Sequence, residues 1–133
     1  MSNDDEPLRA LLDRGHNDHA DHAAAYVDAL NEVVIAIMVE KKSCVDDLER
    51  ILSVPGIDMV QFGPADYAMS LGLPGQWSHP DVVAAERRTI ETALAKGLHP
   101  RVELFDPAQA VRYLEMGVRH FCLGWDVTIL QRW

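Results

Sequence analysis

"VVIAIMVEKKSCVDDLERILSVPGIDMVQFGPAD", Val33 to Asp66, holds two apolar runs separated by one amphipathic stretch. The first run, Val33 to Val39, is apolar throughout and rich in β-branched residues, which suits a strand covered on both faces. It closes on Glu40. Ser43 then stands as an N-cap, with Asp46 three residues on in a capping-box position. Val45, Leu48, Ile51 and Leu52 follow at helical spacing. "VPGID" breaks that helix, and "MVQFG" opens a second strand that runs into Gly63-Pro64-Ala65-Asp66. Strand, helix and strand with short connections make a parallel βαβ unit with a right-handed crossover.

Working outward, the unit repeats. "SHPDVVAAERRTIETALAKG" reads as a helix, with Pro80 in its first turn and Gly97 at its stop. "HPRVELF" is the next strand. "DPAQAVRYLEMG" uses the same helix grammar, with Asp106 as cap, Pro107 inside the start and Gly117 past the end. "VRHFCLGW" is the last strand, and "DVTILQRW" opens a further helix. Upstream, Ala23, Tyr26, Val27 and Leu30 form a helical stripe in the segment that begins at Asp18. Residues 1–17 read as a polar lead-in, with a short helix at Leu8 to Leu12, so the domain is placed at 18–133.

The expected fold is α/β: four βα units with parallel strands. "FGPAD" and "LGWD" each close a strand with a glycine and then an acid. Such an echo suits the C-terminal rim of an α/β barrel, where that fold carries its chemistry. A full eight-unit barrel takes about 250 residues, and this chain has 133. The expectation is therefore a self-associating half-barrel or an open, flattened α/β sandwich. Its open edges would leave apolar surface in water, which calls for a homo-oligomer.

Composition narrows the function classes. Hydrophobic residues make up 48% and charged residues 25%, enough for a packed core. Twelve Lys+Arg against 21 Asp+Glu give a net charge of -9, which argues against nucleic acid or an anionic membrane as partner. The N-terminal stretch lacks the apolar core of a signal peptide, and no run reaches membrane-spanning length. A cytoplasmic location is expected. Cys44 and Cys122 have no CxxC spacing and suggest neither a disulfide framework nor a zinc site.

Glu40 and Asp66 follow consecutive strands of a parallel sheet, so both carboxylates fall on the same edge. Two hard oxygen donors at a strand-end rim suit Mg²⁺ or Mn²⁺. Gly63, with no side chain, lets backbone N–H groups approach a small anion. Acids after strands also serve as helix caps, the role expected of Asp106 and Asp126.

The stretch "AIMVEKKSCVDDLERILSVPGIDMVQFGPADYAMSLG" resembles the metal-site segment of the HpcH/HpaI aldolase/citrate lyase family. The likeness continues through "HPDVVAA", "DPAQAVRYLEMGVRHFCLGWD" and "ILQRW", over about residues 25–133. It implies the C-terminal half of a modified TIM barrel. It implies a divalent metal (Mg²⁺, Mn²⁺ or Co²⁺) held by Glu40 and Asp66. Pyruvate or a related 2-oxo acid would lie on the Gly63, Pro64, Ala65 and Asp66 turn, and the reaction would be aldol-type carbon–carbon cleavage or condensation. The family's catalytic His and its enolate-stabilising Arg belong to the other half of the barrel and have no counterpart here, so no catalytic residue is assigned. The alternative is a non-catalytic half-barrel that binds metal or oxo acid, or an assembly module that needs a partner half. The family's last helix also continues beyond the point where this chain reaches Trp133, and Tyr67-Ala68-Met69-Ser70 leaves substrate choice open.

The remaining groups are weaker. His16, His19 and His22 recur every third residue and read as a solvated helix start, with metal binding by the cluster as the less specific alternative. Arg101 follows a proline at the beginning of a strand, which places it at the rim away from catalysis. Trp125 and Asp126 stand at the exit of the fourth strand as pocket-lining candidates. His79, before Pro80, reads as a cap.

Overall fold

The computed structural model describes residues 21–132. The chain divides into two compact units, Met1–Val33 and Val34–Trp133. In the first, residues 21–31 form helix α1, whose Tyr26, Val27 and Leu30 are exposed. The lead-in, the Leu8 to Leu12 helix, His16 and His19 lie outside the described residues.

The second unit is a four-stranded sheet. Its elements run β1 (Ala36–Val39), α2 (Lys42–Asp46), α3 (Leu48–Ile51), β2 (Met59–Phe62), α4 (Pro64–Ser70), α5 (Pro80–Ala95), β3 (His99–Leu104), a 3₁₀ turn (Pro107–Gln109), α6 (Ala110–Met116), β4 (His120–Leu123) and α7 (Asp126–Arg132). Strand order is β1-β2-β3-β4, and each pair is parallel. The expected βα alternation is therefore the observed one. Among the described residues no helix is long and apolar enough to cross a membrane.

The local signals explain most helix ends. His79 Nδ1 accepts from the Asp81 N–H at the start of α5, with Pro80 next in line. Asp106 Oδ1 accepts from the Ala108 N–H at 2.9 Å, the usual reach of an N-cap. Gly117 ends α6 with φ 103, a left-handed value that glycine takes without steric cost.

Two readings are corrected. Ser43 is not an N-cap: the helix starts at Lys42, two residues earlier than a Ser43 cap would place it, and Lys41 in the cap position makes no side-chain bond. The Lys42 N–H is instead held by Ser70 Oγ on α4 at 3.0 Å, while Asp46 pairs with Lys42 Nζ at 2.6 Å. A tertiary contact thus replaces the local cap. The first strand is also shorter than its apolar run. Val33, Val34 and Ile35 precede it and are exposed, as is Met38 within it, because β1 is an edge strand with one neighbour. Asp58 secures its entry: Asp58 Oδ2 accepts from the Ile35 N–H at 2.7 Å.

The core lies between the sheet and the helices. Val39, Val60, Phe62, Leu48, Ala68 and Val82 form its larger part; Ile90, Val102, Leu104, Tyr113 and Val118 form a second cluster around α5 and α6. Alternation along each strand sends Val39, Val60, Phe62, Val102 and Leu104 to this side. Their neighbours in sequence take the opposite face. At the second cluster Tyr113 donates to Glu86 Oε1 at 2.9 Å, and burial, reinforced by the charge of Glu86, pushes its phenol up to about 12.

Candidate active site

On the face turned away from the helices, Met38 stands level with Gln61, and Gln61 is the Cα partner of Arg101. One step further along, Val39 pairs with Phe62, so Glu40 comes opposite Gly63. The Gly63 N–H donates to Val39 O at 3.0 Å and closes the ladder there. A Cβ built on Gly63 would lie 2.8 Å from Glu40 Cγ and 3.1 Å from its Oε1. The Glu40 side chain therefore lies directly across the glycine. Gly63 has φ -103, an ordinary value, so its service here is space rather than conformation.

Pro64 begins α4 with its φ already suited to a helix. Asp66 is two residues further on, inside the first turn, and Gly63 in the cap position brings no side chain. Glu40 is half-buried and Asp66 exposed. Among the described residues neither carboxylate is engaged in a hydrogen bond or ion pair.

Both carboxylates line one cavity of about 330 Å³, together with Gly63, Pro64 and Ala65. The turn and its two acids are thus brought together as the sequence led one to expect. The ladder between β2 and β3 explains the opening. It ends at Gln61–Arg101, whereas the flanking ladders run on to Phe62 and Leu123. Pro100 in β3 has no N–H to contribute to that ladder. Beyond Gln61 the strands part, and the cavity continues past Phe62 and Val102 to Glu86, Thr89 and Ile90 of α5.

Arg101 requires a correction. It lines this cavity and donates from Nη1 to Gln61 Oε1; the ladder ends at its level, so an early position in the strand still leaves it on the cavity floor. Gln61, Trp77, Glu86 and Glu103 were also not singled out from sequence, yet they line the same space. The signal for Gln61, Arg101 and Glu103 was present as polar residues alternating with Val60, Phe62, Val102 and Leu104. Trp77 and Glu86 come from elements distant in sequence and leave no such trace.

Trp125 lines the cavity as expected, donating from Nε1 to Glu103 and meeting the Phe105 ring edge-on at 5.3 Å. Asp126 does not belong to the lining; its Oδ1 accepts from the Val127 N–H at 2.7 Å. Tyr67 packs in the core against Phe62, and Ser70 binds Lys42, so the segment after Asp66 faces away from the site. Cys44 and Cys122 are free thiols.

The donor set can be tested against a metal. Two carboxylates on one cavity wall, not engaged elsewhere, fit a hard divalent cation that keeps waters or substrate oxygens as its other ligands. Among the described residues no third His, Cys, Asp or Glu joins them to make an all-protein cage.

The family model of the HpcH/HpaI aldolase/citrate lyases matches residues 9–132. The chain belongs to this family. It is 35% identical over 108 residues to a 4-hydroxy-2-oxo-heptane-1,7-dioate aldolase of Salmonella paratyphi B, covering 80% of this chain and 41% of that protein. The structure of an HpcH/HpaI aldolase from Desulfitobacterium hafniense superposes with TM-score 0.73 at 32% identity, over 82% of this chain and 43% of the other. A family member from Burkholderia cenocepacia gives TM-score 0.70 at 38% identity, over 75% and 39%. The chain spans about two-fifths of the length of these relatives, and it corresponds to the C-terminal half of the family's barrel. The half-barrel is thus the observed architecture.

Proposed function

We propose that the chain forms the metal- and oxo-acid-binding half of a carbon–carbon lyase of the aldolase type, acting on pyruvate or a related 2-oxo acid. The observation that carries this reading is the crossing of Glu40 over Gly63 beside Asp66, with both acids open to one cavity. Glu40 and Asp66 would hold Mg²⁺, Mn²⁺ or Co²⁺. Such a cation supplies Lewis acidity towards a keto oxygen.

The chain's own groups do the rest of the binding. The first-turn N–H groups at Ala65 and Asp66 have no partner within their helix and suit the carboxylate of the oxo acid. Gly63 keeps the turn low enough for that approach. Phe62, Ile90 and Val102 form an apolar wall, which strengthens electrostatic contacts by keeping water out. No residue on the cavity wall is assigned as the base. A complete barrel would supply it, through a second copy or another half.

A second reading rests on the uncovered edges. Val34, Ile35 and Met38 on the β1 side are exposed, as are Leu123, Ile129 and Leu130 on the β4 side. Apolar flanks of this kind suit an assembly module, a half-barrel that works only once paired. Homo-oligomer formation is part of both readings.

Exchange of pyruvate methyl protons for deuterium, followed by NMR with each metal and with EDTA, tests the catalytic reading. Exchange above the free-metal background, abolished by EDTA and by Asp66→Asn, is the expected result. Exchange at background would leave the isolated chain as a binding or assembly half.

A further inference from the structure

We infer that Arg101 is a specificity-determining residue, which makes the cavity prefer 2-oxo acids carrying a second carboxylate. This deepens the reading above and rests on it. Of the described residues that line the cavity, Arg101 is the one cation, among four carboxylates: Glu40, Asp66, Glu86 and Glu103. None of the four forms an ion pair with it. Two have other partners, since Glu86 accepts from the Tyr113 hydroxyl and Glu103 from Trp125 Nε1. Glu40 and Asp66 stand at the β1–β2 rim.

The guanidinium is instead held by a neutral group. Gln61, itself buried, accepts from Arg101 Nη1. Guanidinium carries five N–H donors, so this bond orients the fork without neutralising it or using it up. A half-buried cation with no counter-ion, fixed by an amide and facing a largely apolar space, is a receptor for a carboxylate.

The position decides which carboxylate. Arg101 is the Cα partner of Gln61, two residues before Gly63. With a strand rise of about 3.3 Å and a strand spacing of about 4.8 Å, the Arg101 and Gly63 Cα atoms lie roughly 8 Å apart. Both the Gly63–Asp66 turn and Arg101 line the cavity, so an acid seated on the turn by its 1-carboxylate shares that space with Arg101, which is available to a second carboxylate at the far end. The cavity of about 330 Å³ extends between these two places and is roomier than a three-carbon acid needs.

The test is isothermal titration of the full chain, with Mg²⁺ present, using 2-oxoglutarate and 2-oxopentanoate. These acids share a five-carbon 2-oxo chain and differ at C5, a carboxylate in one and a methyl in the other. The wild-type chain is expected to prefer 2-oxoglutarate by about tenfold or more, as a charge-assisted bidentate contact allows. In Arg101→Gln the ratio should collapse to within about threefold of unity, and Arg101→Lys should fall between, because it keeps the charge without the fork. Thermal melts of each variant confirm folding; if Arg101→Gln does not fold, the wild-type ratio and the lysine variant decide. Equal affinity for the two acids in the wild type, or a preference that survives in the Arg101 variants, overturns the inference. If that binding is still lost in Asp66→Asn, the reading of the site stands. Binding of neither acid overturns both.

Discussion

Asp66 and Asp106 each follow a core strand, and each stands beside a proline at a helix start, yet the two carboxylates have different fates. Asp106 occupies the cap position itself, one residue before Pro107, and its Oδ1 is spent on the Ala108 N–H. Asp66 sits two residues beyond Pro64, within the first turn of α4, and makes no bond to its own helix. The position before Pro64 is given to Gly63, and the space a side chain would take there is filled by Glu40. One turn spends its acid on the fold. The other gives up a cap and keeps two acids for the cavity.

The sharpest way to break this contrast is to put a side chain on the second turn. Gly63→Ala drives a Cβ against Glu40 Cγ, and overpacking of this kind typically costs about 1–3 kcal/mol. Urea unfolding should show that loss, and Glu40→Ala in the same chain should recover most of it, since the clash lies between those two groups. Next in size is the capping pair. Asp106→Ala should cost about 1 kcal/mol, the usual worth of an N-cap, while Asp66→Ala should stay within about 0.5 kcal/mol. Equal losses in the two would mean that Asp66 serves its helix after all.

A third effect, confined to alkaline pH, contrasts the helical layer with the open rim. The Tyr113 phenol is raised from 10.0 to about 12 in the fold, by burial and then by the charge of Glu86. The unfolded chain therefore releases this proton first as pH rises. Its contribution is fully present below pH about 10 and declines between about 10 and about 12. Melting temperatures across that range should fall less steeply in Tyr113→Phe.

Much of the molecule was legible because its signals are local. The capping of α5 by His79, the Asp106 cap and the Gly117 stop each depend on residues within a few positions of one another. That Glu40 and Asp66 share one cavity was legible because a parallel sheet sends every strand end to one edge. Ser43 misled for the opposite reason. Its sequence context is a good cap, but the Lys42 N–H is satisfied by Ser70, 28 residues away, and the helix begins two residues sooner.

By itself the sequence determined the order of strands and helices and the parallel sheet, because periodicity and caps are read from neighbours along the chain, and its quoted motifs carried the resemblance to the family. Tertiary structure alone decided where β2 and β3 part, that Arg101 lies on the cavity floor against Gln61, and that Trp77 and Glu86 reach the same space. Those facts depend on inter-strand register and on how far a ladder of hydrogen bonds runs before it opens. Shifting a strand by one residue would reverse every inward side chain, and only the packed sheet shows which register holds.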